Sequence, residues 1–145
     1  MEDFFAAEPL LVARIKDQVD VRFVLTASQA ALVDEQQQKT PAVYLLYAGG
    51  DPEGEPGRSE RGDLTVFRQR WAAVVAVRNV ENTASGQGIR EEAGPLIVQT
   101  YRALAGWRPA DGFNPLIMAG DVQAAYSEAG FGYFQLLFET NYVLV

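Results

Sequence analysis

The chain has 145 residues, 48% of them apolar, a formal net charge of -7, and neither cysteine nor histidine. Without those two residues there is no disulfide framework, no thiolate or imidazole zinc site, no Ser-His or Cys-His nucleophile pair and no neutral-pH imidazole catalysis, which removes most hydrolase mechanisms. The length suits one domain around a single core, and the acidic balance, with no local basic patch, disfavours attraction to nucleic-acid phosphates or an anionic bilayer.

The N-terminal stretch MEDFFAAEPLLVARIKDQV begins acidic and interrupts its apolar run with Glu8, Arg14 and Lys16, which fits neither a signal peptide nor a membrane span. A soluble, intracellular protein is expected. Within that stretch Leu10, Leu11, Ile15 and Val19 recur at helical spacing, and Pro9 suits a first turn, where its missing N–H costs nothing. VRFVL (21–25) predicts a short strand. TASQAALVDEQQQ (26–38) offers a Thr26 or Ser28 cap and a short polar-faced helix, stopped by Pro41.

PAVYLLYAGG is rich in Val, Tyr and Leu and bounded by Pro and Gly-Gly, which predicts a buried strand. GGDPEGEPGRSERGD (49–63) follows with no large apolar residue, so nothing in it can offset ordering entropy by burial, and a mobile charged loop is expected there. LTVFRQRWAAVVAVRNV (64–80) carries the longest strand signal. Phe67, Trp71, Ala73, Val75 and Val77 share one face, while Arg68 and Arg70 precede Ala72, Val74 and Ala76 on the other, so the strand should start half exposed and end buried on both sides.

In SGQGIREEAGPLIVQTYRALAG (85–106), Ile89, Ala93, Leu96, Ile97, Thr100, Tyr101 and Leu104 form one helical stripe closed by Gly106, and Pro95 predicts a kink or a helix start near Glu91. A short strand near PLIMAG, an irregular stretch through DVQAAYSEAG and a long final strand, FGYFQLLFETNYVLV, complete the chain; the last is apolar on both faces over much of its length and belongs inside a sheet. The order predicts an α+β fold, a mostly antiparallel mixed β-sheet with two main helices packed on one face.

Candidate chemistry is sparse. Glu91 and Glu92 are adjacent on a helix, so their side chains diverge and suit a solvated first turn. The glycines of SGQGIREEAG match neither G-x-x-x-x-G-K-[ST] nor G-x-G-x-x-G. The acidic residues of segment 49–63 lack the spacing of an EF-hand loop, and Pro52 and Pro56 interrupt them, so a solvated loop is favoured over a calcium site. Arg68 and Arg70, two apart on one strand face, either pair with carboxylates of a neighbouring subunit or sit in water. Trp71 reads as core. Trp107, beside Arg108 and Pro109 at a helix end, either caps that end within its own subunit or anchors a subunit contact.

TPAVYLLYAGG, the charged loop, QRWAAVVAVRN, EEAGPLIVQTYRALAGWRP, NPLIM and the closing GYFQLLFET resemble, in order and over nearly the whole chain, the tail terminator family of long-tailed, Mu-like bacteriophages and prophages. The helix ending in ALAGWRP and the terminal strand carry most of the specificity. The resemblance implies one structural domain over residues 1–145, no enzyme activity, no cofactor and no metal. It implies a ring of identical subunits, usually a hexamer, that docks on the last ring of the tail tube, stops its polymerisation and offers a surface for head joining. The implied partners are copies of the chain, the tail tube protein and a head-completion or connector protein, without a membrane or sequence-specific nucleic acid. The implied location is the host cytoplasm during assembly and the tail–neck junction of the virion afterwards.

In that setting Arg68, Arg70, Trp107 and Arg108 are candidate interface residues, and Asp51, Glu53, Glu55, Arg58, Glu60 and Arg61 belong to a loop that reaches the lumen or the adjacent tail ring, where negative charge repels passing DNA. Two alternatives stand beside this reading: another neck or tail-completion protein of similar size, and a carboxylate enzyme whose acidic loop holds a metal.

Overall fold

The structure, a computed structural model, describes residues 2–26, 39–53, 62, 64–80 and 86–144. The first helix, α1 (Ala7–Gln18), has Pro9 and Glu8 in its first turn and Lys16 in its last, so the proline loses no internal bond and both charges complement the helix dipole. Ala7, Leu11 and Ile15, spaced four apart, are fully buried, whereas Leu10 lies outside the stripe and is exposed.

Four strands form the frame of the sheet: β1 (Phe23–Thr26), β2 (Ala42–Glu53), β3 (Thr65–Arg78) and the C-terminal β6 (Phe131–Leu144). β1 runs parallel to β2, and β2–β3 and β3–β6 are antiparallel. Two short strands, β4 (Ile117–Met118) and β5 (Gln123–Tyr126), pair with the far side of β6, giving the order β1-β2-β3-β6-β4 with β5 also on β6. β6 is therefore interior, as its two-sided apolar pattern predicts. β5 corrects the expectation of an irregular segment. All four of its residues are exposed, so burial could not reveal it; main-chain pairing of Gln123–Tyr126 with Gly132–Gln135 makes it a strand.

Between β3 and β4 lies α2 (Gln87–Leu104), whose Ile89, Ala93, Leu96, Thr100 and Leu104 face inward. The helix does not begin near Glu91, one of the two outcomes expected from Pro95: it already runs from Gln87 and continues through the proline. Pro95 and Glu91, whose carbonyl loses its intrahelical partner, are both exposed, so that carbonyl is open to solvent and the missing bond costs little. The helix ends at Gly106 with φ +78°.

α1 and α2 pack on the same face of the sheet and on each other. Val43, Leu45, Trp71, Ala73, Leu136 and Phe138 meet them in one core cluster, where each fully buried large side chain contributes about 1.5–3 kcal/mol. Among the described residues, a mixed sheet with two helices on one face is thus the observed α+β architecture. The opposite face carries a smaller cluster built on Ala42, Tyr44 and Ala76. The helix expected within residues 26–38 lies outside the described residues, apart from Thr26 at the end of β1.

Candidate functional site

The site begins with a local irregularity in β2. Tyr47 pairs with Trp71 but Gly50 pairs with Gln69, so Ala48 and Gly49 together stand opposite Arg70, a β-bulge with Gly49 at φ +86°. Gly50 then approaches β3 so closely that a Cβ would lie 2.3 Å from the Arg68 carbonyl oxygen. The extra residue changes which side chains point where. Counting alternately from Val43, Leu45 and Tyr47 would aim Asp51 and Glu53 at the helices; after the bulge Asp51 pairs with Arg68 and Glu53 with Val66, which puts both carboxylates on the opposite face.

That face already holds Arg68 and Arg70 from β3 and, through direct cross-strand pairs, Glu139 and Asn141 from β6. Each β2 carboxylate reaches its arginine diagonally. Arg68 donates from Nε and Nη2 to Glu53 Oε1 at 3.0 and 2.7 Å, and Asn141 Nδ2 donates to Glu53 Oε2 at 2.9 Å. Asn114 Nδ2 in turn donates to Asn141 Oδ1 at 2.7 Å. Arg70 lies between Asp51 (2.9 Å) and Glu139 (3.6 Å). The Asn141 bond, followed by that of Arg68, holds the Glu53 carboxyl below the usual carboxylate range, and the Arg68 guanidinium is raised by its bond to Glu53. Beside this network a pocket of about 410 Å³ opens between β3, β6 and the segment before β4, lined by Glu53, Arg68, Asn114, Ile117, Glu139 and Asn141 among others. Ile117 is 56% exposed at its rim.

The first five residues of the expected loop 49–63 are therefore strand, because Asp51 and Glu53 find arginines across the sheet. Glu55, Arg58, Glu60 and Arg61 lie outside the described residues. Arg68 and Arg70 pair inside their own chain, an arrangement that neither expected reading included. Glu139, Asn141 and Asn114 were missed. The available signal was the alternation of Glu139 and Asn141 in a mostly apolar strand, matching that of Arg68 and Arg70.

Trp107 lies just past the C-terminal end of α2, on the helix-covered side of the sheet. Its ring is half-buried against the main core, and Arg14 from α1 stacks over it at 5.3 Å while donating from Nε to the Ala103 carbonyl at 2.9 Å. The Trp107 main chain is held at both ends, N–H to Leu104 and carbonyl to Leu116. Arg108 points outward and is exposed. Trp71 is buried, and its indole N–H donates to Gln69, whose amide donates to the Phe4 carbonyl, tying the segment before α1 to β3.

Among the described residues no three acidic side chains gather as metal ligands, and no helix is long and apolar enough to cross a membrane. A comparison with the curated proteins gives no match. Among solved structures, a chain in the virion of a native gene transfer agent (GTA) particle shares the fold, with a TM-score of 0.55 and 13% identity over 96% of this chain and 92% of that one. The family model described as phage tail terminator protein matches residues 1–145. With the whole chain matched, this protein belongs to the phage tail terminator family, a family of structural tail proteins.

Proposed function

We propose that the chain assembles as a hexameric ring that caps the tail tube, ends its polymerisation and presents a surface for head joining in the virion tail. The observation that carries this reading is the family match over residues 1–145, which favours a terminator over a neighbouring neck protein. The charged end of the sheet supports it chemically. Asp51 and Glu53 are engaged by Arg70 and Arg68, so they act as ion-pair partners of a structural surface and not as metal ligands of an enzyme. Arg68, Arg70, Trp107 and Arg108 remain candidate contact residues, Trp107 with a second duty as a clamp between α1 and α2.

In this proposal one domain spans the chain, and the segment after Glu53 carries Glu55, Arg58, Glu60 and Arg61 toward the lumen or the adjacent tail ring, where their acidic surroundings keep DNA from adhering. The ring is assembled in the host cytoplasm from copies of the chain and meets the tail tube protein on one side and a head-completion protein on the other. The test is polymerisation of the tail tube protein of the same phage or prophage with and without this chain. Tubes that stop growing and carry one ring at an end support the proposal; unchanged tube growth with no bound ring refutes it. Deleting residues 54–61 and finding normal tail length and normal head joining would remove the role given to that segment.

A further inference from the structure

On the face opposite α1 and α2, the described side chains at the two ends of the sheet carry opposite charge. At one end, Asp51, Glu53 and Glu139 face Arg68 and Arg70, an excess of one negative charge, and the pocket beside β6 is lined by Glu53 and Glu139 against Arg68 alone. At the other end are three cations that meet no carboxylate within ion-pair distance among the described residues. Arg22 and Lys39 both lie over the Phe23 ring at 5.2 Å, and Arg78 lies over Phe131 at 5.0 Å while donating to the Ala129 carbonyl. The aromatic rings hold these cations in place, and Phe131 is itself stacked on Tyr133. Arg68 and Arg78 are ten residues apart on β3, about 33 Å along the strand, so the two ends cannot meet within one molecule.

We propose that these ends meet between molecules: the Arg22–Lys39–Arg78 end of one copy docks on the Glu53–Glu139 pocket of the next. This rests on the ring reading and names its contact. Two different, complementary surfaces on one subunit make a heterologous interface, the kind that closes into a ring. The pocket volume lies in the range that buries a long side chain, its floor is pre-organised by the Arg68–Glu53–Asn141–Asn114 chain of hydrogen bonds, and Ile117 supplies an apolar rim. Opposite charge steers the ends together and fixes polarity around the ring.

The chain has no cysteine, so introduced thiols report without background. In the double variant Lys39→Cys with Ile117→Cys, mild oxidation is expected to give a ladder of covalent oligomers, while either single variant gives none beyond a dimer. Arg78→Glu and Glu139→Arg are each expected to weaken assembly tenfold or more, and an equimolar mixture of the two to restore it, because alternating subunits again place opposite charges together. A wild type that assembles, with no ladder in the double variant and no rescue on mixing, overturns this contact and leaves the ring reading standing. A wild type that remains monomeric at every concentration, with no ladder, overturns both.

Discussion

Replacing Gly50 by alanine should release the charged end of β2 from the sheet. A Cβ at this position lies 2.3 Å from the Arg68 carbonyl oxygen and 2.7 Å from the Phe67 ring, where ordinary contact begins near 3.4 Å. β2 must therefore retreat by about an ångström, and overpacking of this kind costs about 1–3 kcal/mol. The cost falls on Gly50–Glu53, which is joined to the rest of the molecule by its pairing with β3 and by the side chains of Arg68, Arg70 and Asn141. The segment should peel away, taking Glu53 from Arg68 and Asn141, while the helix-covered core stays folded. Amide exchange should lose protection at Asp51, Glu53 and the β3 amides that face them, and urea unfolding should show a loss of about 1–2 kcal/mol, less than the full overpacking cost because the segment can detach. Gly49→Ala is the control: no heavy atom lies within 4 Å of its Cβ, so only its left-handed backbone resists, at about 1 kcal/mol. Unchanged exchange and midpoint in Gly50→Ala, or a larger loss at Gly49, would refute the argument.

Trp107→Ala should destabilise the isolated subunit by about 2–3 kcal/mol in urea, below the range for a fully buried indole because the ring is half-buried and part of its contact is the Arg14 stack. If Trp107 acted only as an anchor between subunits, that melt would not move while assembly failed. Tyr142→Phe should be neutral or stabilising by about 1 kcal/mol, since the hydroxyl is buried with no hydrogen-bond partner among the described residues; a clear loss in thermal unfolding would reveal a partner. Burial also raises the Tyr142 phenol, so its contribution is present below about pH 10 and lost as pH climbs through the raised value, a loss the same variant should reduce. Glu53 has the opposite sign. Its folded carboxyl is held low, so its contribution is present above about pH 4 and disappears as pH falls through the lowered value; NMR titration should show Gly50–Glu53 loosening there, and Glu53→Gln should abolish that acid dependence.

What was legible in the sequence follows from which forces act locally. β3 and β6 announce themselves because apolar residues occupy both faces where the strands are interior, and α2 because one stripe recurs at helical spacing up to Gly106. Trp71 reads as core from the same alternation. The charged network was half visible. Arg68 and Arg70 stand out at period two, but their partners come from Asp51 and Glu53, assigned to a loop, and from Glu139, some seventy residues away. Gly49-Gly50 reads in the sequence as the end of a strand, whereas one glycine forms the bulge and the next permits close approach of β3, so the strand continues with its faces exchanged. β5 left no signal, because a fully exposed strand has no burial alternation and exists only through pairing with β6. Pro95 does not mark the helix start because its penalty is small where solvent reaches the carbonyl it leaves unbonded.

Ring formation by one chain is read from the mass of the purified protein. Light scattering over a wide concentration series, in low and moderate salt, should give a discrete species of six times the 15.9 kDa chain mass, more populated at low salt because the proposed contact joins opposite charges. A monomer at every concentration and salt, or an isologous dimer that grows no further, would rule out ring formation by the chain alone.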